Sequence, residues 1–261
     1  MIRYTFSFAG AGKVAGILCR ELHRRGHKIE KIVSLHRENG GRLAMSCGAE
    51  WSSEPVFAES SEIIIVSVPD HSLENVLHSI KCGKESLVAH TAGSYGLDVF
   101  PATIANRGVF YPLQTFSPGR LKDFREVPVF IEGSGEAEEM RLASIAESLG
   151  SPHFITDTEK RRLLHLAAVF VCNFTNYMLV SGKQVSDLAG VDFSLLEPLI
   201  RETVNKAVES GPEESQTGPA LRYDVNTIEK HLDLLSFSPE LAKLYKEISG
   251  SIMDYFKREG Q

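Results

Sequence analysis

The sequence predicts a mainly parallel, doubly wound α/β sheet in its first half and an all-α domain in its second, on three observations. Short β-branched runs alternate with helical patterns, a glycine-rich turn follows the first run, and strand-like runs cease near residue 154. Alternation of this kind marks βαβ units, because parallel strands need a crossover helix between them.

The elements follow in order. A first strand over 4–8 leads to a helix that repeats Val14, Ile17, Leu18 and Leu22 near a 3.6 period and stops at Gly26. Strands follow over 29–34, 63–68, 87–90, 109–111 and 127–131. The 63–68 run is almost continuously apolar, as a strand covered on both faces must be. A helix over 136–149 ends at Gly150. Thr156-Asp157-Thr158-Glu159 then matches a capping box, with Thr156 as the cap and Glu159 reaching back to it. It opens a long apolar helix, LLHLAAVFVCNFTNYMLV. Segments 194–210, 224–235 and 239–258 are also helical in pattern, interrupted by the turn-rich stretch 211–219. The expected domains are residues 1–153 and residues 154–261.

Composition narrows the class of function. The 261 residues are 43% hydrophobic and 24% charged, ordinary globular values, and suffice for two domains. A net charge of −6 offers no basic field for a nucleic acid. No run approaches the roughly 18 apolar residues that cross a bilayer, so no membrane contact is expected. The N-terminal stretch reads as a strand and turn rather than a signal peptide, which points to the cytoplasm. Cys19, Cys47, Cys82 and Cys172 show no metal-ligand spacing and are read as reduced thiols, with no metal site.

The turn Gly10-Ala11-Gly12-Lys13-Val14-Ala15 gives G-x-G-x-x-A directly after a strand and directly before a helix, the context of a Rossmann dinucleotide site. Gly10 allows the tight turn, Gly12 lets backbone approach a pyrophosphate, and Ala15 lets helix pack on strand. Ala11, Lys13 and Val14 complete the phosphate cradle at the helix N-terminus. Cofactor choice is read after the second strand, at Val33-Ser34-Leu35-His36-Arg37, where NAD binders carry an acidic residue. Here Arg37 can pair a 2′-phosphate with help from Ser34 or His36, so NADP (NADPH) is expected rather than NAD; the bland reading is a solvated arginine. Val68, Pro69 and Asp70 end the 63–68 run and should lie near the nicotinamide half.

Two strand-end loops and one helix could hold substrate. His90-Thr91-Ala92-Gly93-Ser94 and Tyr111-Pro112-Leu113-Gln114-Thr115-Phe116 follow strands, and Ser94, Gln114 and Thr115 are the candidate contacts, or ordinary turn formers. On the long helix Arg162, His165, Asn173 and Asn176 interrupt apolar sequence. In a regular α-helix His165 and Asn173 lie about 80° apart around the axis and about 12 Å along it, so both can border one pocket. His165 is read equally as catalytic or as a structural histidine.

These motifs, together with Val66-Ser67-Val68-Pro69-Asp70, His165-Leu166-Ala167-Ala168 with Asn173-Phe174, and Thr217-Gly218-Pro219-Ala220-Leu221-Arg222-Tyr223-Asp224, span nearly the whole chain. In them the chain resembles a bacterial family with a Rossmann-like domain followed by a DUF2520 domain. The family is similar to the wider 6-phosphogluconate dehydrogenase-like reductases, among them ketopantoate, pyrroline-5-carboxylate and F420-dependent NADP reductases. The resemblance implies an all-α, 6-phosphogluconate dehydrogenase C-terminal-like domain that builds a homodimer. One departure matters: the β-hydroxyacid dehydrogenase branch places a catalytic Lys four residues before an Asn on the equivalent helix. Here Val169 precedes Asn173 and Cys172 precedes Asn176. That leaves His165 as the proton donor, with Lys160, Arg162 and Lys183 as weaker candidates.

The expected function is an NADP-dependent oxidoreductase acting on a small polar, anionic carbonyl or imine, with His165 moving the proton and Asn173 bonding the reacting oxygen or a carboxylate. Hydride transfer between NADP and a deazaflavin is an alternative. A non-catalytic NADP(H)-binding regulator is another, kept open by the missing Lys.

Overall fold

The structure is a computed structural model that describes residues 2–117 and 123–259. It resolves into two compact units, Met1–Asn173 and Phe174–Gln261.

The first unit runs β1 (Thr5–Ala9), α1 (Lys13–Arg24), β2 (Lys28–Val33), α2 (Arg37–Ser46), β3 (Glu50–Ser52), β4 (Ile63–Val66), α3 (Asp70–Ser79), β5 (Leu87–His90), β6 (Arg107–Pro112), β7 (Val129–Gly133), α4 (Glu136–Leu149), β8 (His153–Ile155) and α5 (Thr158–Ala168). The eight strands form one sheet in the order β3-β2-β1-β4-β5-β6-β7-β8. All neighbours are parallel except β6 and β7. This is the expected doubly wound Rossmann sheet, with the strand order reversing between β1 and β4, where ligands of such sheets bind.

The period-2 geometry of strands sorts the β4 side chains into two cores. Ile63 and Ile65 join Phe6, Phe8 and the α1 residues Leu18 and Leu22 on one face. Ile64 and Val66 join Ala9 and the α3 residues Leu73 and Leu77 on the other. Helix α4 occupies the residues expected of it, and Gly150 ends it in the left-handed conformation at φ +75°.

Four expectations need correction. Strands cease at Ile155, close to where expected, but the last of them, β8, was not foreseen: it pairs with β7 through Ile155. The capping box at Thr156 does not form, because the Thr156 N–H is spent on the Ile131 carbonyl at 2.8 Å and prolongs the sheet. Asp157 is the cap, accepting from the Lys160 N–H at 2.8 Å. The long helix is not regular either: between α5 and α6 (Thr175–Leu188) the stretch Val169–Phe174 is π-helical, which alters the angular spacing assumed for His165 and Asn173. Finally, an apolar run of membrane-spanning length does exist. Helix Thr158–Leu188 has 31 residues and an 18-residue window of mean hydropathy 1.6, none of it buried. One such helix, judged on length and composition alone, does not assign a membrane.

The second unit is helical, with α6, α7 (Glu197–Ser210), α8 (Val225–Leu234) and α9 (Pro239–Glu259). Asp224 caps α8 by accepting from the Thr227 N–H at 3.1 Å. The His231 ring meets Tyr245 Oη at 2.8 Å and so ties α8 to α9.

Candidate active site

The sheet register brings the strand ends together, pairing Ala9 with Val33 and with Val66, and Val66 with His90. The loops after β1, β2, β4 and β5 therefore emerge side by side. The Gly10 N–H donates to the Val33 carbonyl and the Ser67 N–H to the Ala9 carbonyl, both at 2.8 Å. Gly10 sits at φ +115°, and a Cβ there would lie 2.0 Å from the Ser67 carbonyl oxygen, so only glycine fits. Gly12 precedes the first residue of α1 and is exposed, with nothing within 4 Å of where its Cβ would be. Ala11 and Val14 pack against the core, while Gly12 and Lys13 between them are exposed.

Over this turn opens a cleft of about 430 Å³, lined by Ala11, Gly12, Lys13 and Arg20 on one side and by Asn39 and Arg42 of α2 on the other. The donor set suits a dinucleotide diphosphate. It combines room above Gly12, cationic side chains and the free N–H groups of a helix start. Ser34 Oγ donates to the His36 carbonyl and accepts from Trp51 Nε1, each at 3.1 Å. His36 and Arg37 are exposed, and the Arg37 guanidinium lies 5.5 Å from the centroid of the Trp51 ring. After β4, Val68 packs on the second core, Pro69 precedes α3, and Asp70 opens that helix.

A second group of residues gathers around the loop after β5. Asp70 Oδ2 accepts from Ser94 Oγ at 2.6 Å. Two arginines of α5 clamp the loop backbone: Arg161 Nη2 donates to the Tyr95 carbonyl at 2.5 Å, and Arg162 Nε to the Ser94 carbonyl at 2.8 Å. Arg161 is wholly buried and is charge-balanced by Glu132 of β7, whose carboxylate also accepts from Thr158 Oγ1 at 2.8 Å. This pairing draws α5 onto the sheet. His165 comes one turn after Arg161, on the same helix face.

His165 Nδ1 lies 2.9 Å from Tyr111 Oη, and Tyr111 stands at the end of β6. Gly93 makes the approach possible, since a Cβ there would fall 2.6 Å from His165 Nδ1 and 2.9 Å from Tyr111 Cζ. Burial and the nearby Asp70 carboxylate push the Tyr111 phenol above its ordinary range, so it keeps its proton. His90, the last residue of β5, is fully buried and stacked on Phe100. His90 Nδ1 accepts from the Ala92 N–H at 3.2 Å while Nε2 faces the Gly96 carbonyl at 3.3 Å, and burial lowers its pKa to about 4. His90 is thus a neutral scaffold for the loop.

The structure brings Asp70, Ser94 and His165 into one region of the first unit. Gln114 and Thr115 are exposed beyond β6, with Gln114 Oε1 accepting from the Thr115 N–H at 2.8 Å. Asn173 is exposed within the π-helical stretch. Tyr111 was legible only as part of a motif and carried no expected role. Its signal was a phenol closing an otherwise apolar buried strand, where a hydroxyl needs a partner.

Residues 2–116 match the Rossmann-like domain family, and residues 127–252 match the family described as a domain of unknown function, DUF2520. Among solved structures, a "putative NADP oxidoreductase" from Bacteroides fragilis is 36% identical, covering 97% of this chain and 98% of that one, with a TM-score of 0.86. A protein from Thermotoga maritima is 23% identical over 98% of this chain and 100% of its own, at a TM-score of 0.72. An imine reductase from Myxococcus stipitatus, in complex with NADP+, is 15% identical over 97% and 93% at a TM-score of 0.64, a likeness of fold alone. No functionally curated protein matches the sequence.

Proposed function

Because the chain belongs to the Rossmann-like, DUF2520-containing family, we propose that it is an NADP-dependent oxidoreductase acting on a small polar, anionic carbonyl or imine compound. The observation that carries this reading is the 2.9 Å contact between Tyr111 Oη and His165 Nδ1, at the carboxyl end of a strand of the sheet whose β1 ends in the dinucleotide turn. The description of the 36% identical relative as an NADP oxidoreductase supports it, as does the NADP+ held by a reductase of the same fold.

The nicotinamide, when bound, supplies or takes the hydride. Gly10, Gly12 and Lys13 hold the diphosphate, with the start of α1 adding its partial positive charge. In this reading the Tyr111 O–H, which keeps its proton, donates a hydrogen bond to His165 Nδ1. That bond fixes the ring proton on Nε2, so His165 offers Nε2–H to the oxygen or nitrogen that gains electron density. Tyr111 acts through His165 and is a positioning residue. Ser94, Gln114, Thr115 and Asn173 are the proposed polar contacts for substrate. Residues 1–153 hold the dinucleotide, while the helical remainder contributes His165 and a face for a second copy of the chain.

The test is His165→Asn, whose Oδ1 can still accept from Tyr111 but which has no Nε2. Turnover of NADPH should fall by roughly 10² to 10⁴-fold with NADPH affinity and melting temperature little changed. Full activity with a lowered melting temperature would make His165 structural.

A further inference from the structure

The cleft over the glycine turn continues along the outer faces of α1 and α2, past the point a diphosphate would occupy. Two arginines enter it from different helices. Arg20 folds back along α1, so that its Nη2 and Nη1 atoms lie 3.4 and 3.5 Å from where a Cβ of Gly16 would be, one turn from Gly12. Arg42 reaches in from the second turn of α2. Its Nη2 donates to Asn39 Oδ1 at 2.8 Å and its Nε to the Glu38 carbonyl at 3.1 Å, which orients the guanidinium while both residues stay exposed. The Glu38 carboxylate stands 3.5 Å from Arg42, a loose pair that an anion of higher charge density can displace. Arg37, by contrast, rests on the Trp51 ring and does not line the cleft.

Resting on the NADP reading above, we infer that Arg20 and Arg42, with Asn39, form the subsite for the cofactor's adenosine 2′-phosphate and so determine the choice of NADPH over NADH. A phosphate monoester carries close to two negative charges at neutral pH and presents three acceptor oxygens. Two guanidinium groups and a helix start, on a chain whose net charge is −6, are the chemistry that selects it. Gly16 leaves open the surface along which Arg20 lies, its guanidinium within ordinary contact distance of where a Cβ would be. Asn39 works as a hinge for Arg42, holding one guanidinium edge while leaving the other to the ligand.

The experiment is calorimetric titration of the wild-type protein and of Arg42→Ala, Arg20→Ala and Arg37→Ala, with NADPH, NADH, 2′,5′-ADP and 5′-AMP as ligands. Wild type should bind NADPH and 2′,5′-ADP at least about tenfold more tightly than NADH and 5′-AMP. Arg42→Ala and Arg20→Ala should each weaken NADPH by about tenfold and leave NADH within about twofold, whereas Arg37→Ala should leave the NADPH preference in place. Arg42→Lys should recover part of the loss. All these side chains are exposed, so melting temperatures serve as the folding control. Equal weakening of NADPH and NADH, or loss of preference only in Arg37→Ala, would overturn the assignment. A wild type that binds neither dinucleotide would instead overturn the functional reading on which it rests.

Discussion

Tyr111 and His165 stand 54 positions apart in the chain, and one hydrogen bond joins them. If Tyr111 only orients the imidazole, Tyr111→Phe keeps the ring and its packing on Gly93 but releases Nδ1. Turnover should then drop by about tenfold, the equivalent of one hydrogen bond, with NADPH affinity unchanged and the pH profile shifted as the two ring tautomers become equally available. An unchanged pH profile with only a lower melting temperature would mean that the bond serves stability alone. Gly12 gives a second test at this scale. Its φ of −75° is open to any residue and no atom lies near its missing Cβ, so Gly12→Val should fold normally. The valine would fill the space reserved for the diphosphate, and titration should show no dinucleotide binding. Unchanged affinity would remove the turn from the site.

Among the elements, those whose identity is local were readable in the sequence. Helix α4 begins in a run of glutamates that suits the positive end of its dipole and stops at a glycine that takes the left-handed turn, so its bounds came out to the residue. Strand β4 announces itself by four consecutive buried residues. Strands β3 and β8 were not readable, because three residues with partly exposed side chains carry no periodic signal. The cap of α5 was misread by one position, as Thr156 and Asp157 have equivalent chemistry and only the pairing of β8 with β7 decides between them. The site was half legible: the glycine turn is a contiguous motif, whereas the Arg161–Glu132 pair and the Tyr111–His165 contact are tertiary. The loop after β5 carries its own prediction. Its support, His90, has an ordinary pKa near 6.5 when unfolded and about 4 when folded. The unfolded chain therefore binds a proton that the folded chain refuses as the pH falls from about 6.5 to 4. Stability present above that window should be lost through it, with buried His27, also held low by burial, adding in the same direction. Thermal melting between pH 7 and 5 should show the decline, and His90→Asn, which keeps an acceptor for the Ala92 N–H, should flatten it; an equal slope in both proteins would exclude His90 as the cause.

For the whole molecule, helix Thr158–Leu188 carries a series of exposed apolar side chains. Leu163, Leu166, Phe170 and Val171 are exposed in the first unit, as are Phe174, Tyr177 and Leu188 in the second. Exposed apolar side chains in this number favour association, and a second copy related by a two-fold axis is the simplest partner. Sedimentation equilibrium should therefore show a dimer at micromolar concentration, and a monomer would contradict it. The central claim, however, is chemical, and the absorbance of NADPH at 340 nm tests it most directly. The purified protein, with NADPH bound as shown by titration, is offered 2-oxo acids, cyclic imines and a deazaflavin. The account predicts that absorbance falls with a carbonyl or imine compound and that His165→Asn suppresses the fall. NADPH bound at full stoichiometry but consumed with none of them would contradict it and leave a protein that senses the cofactor without using it.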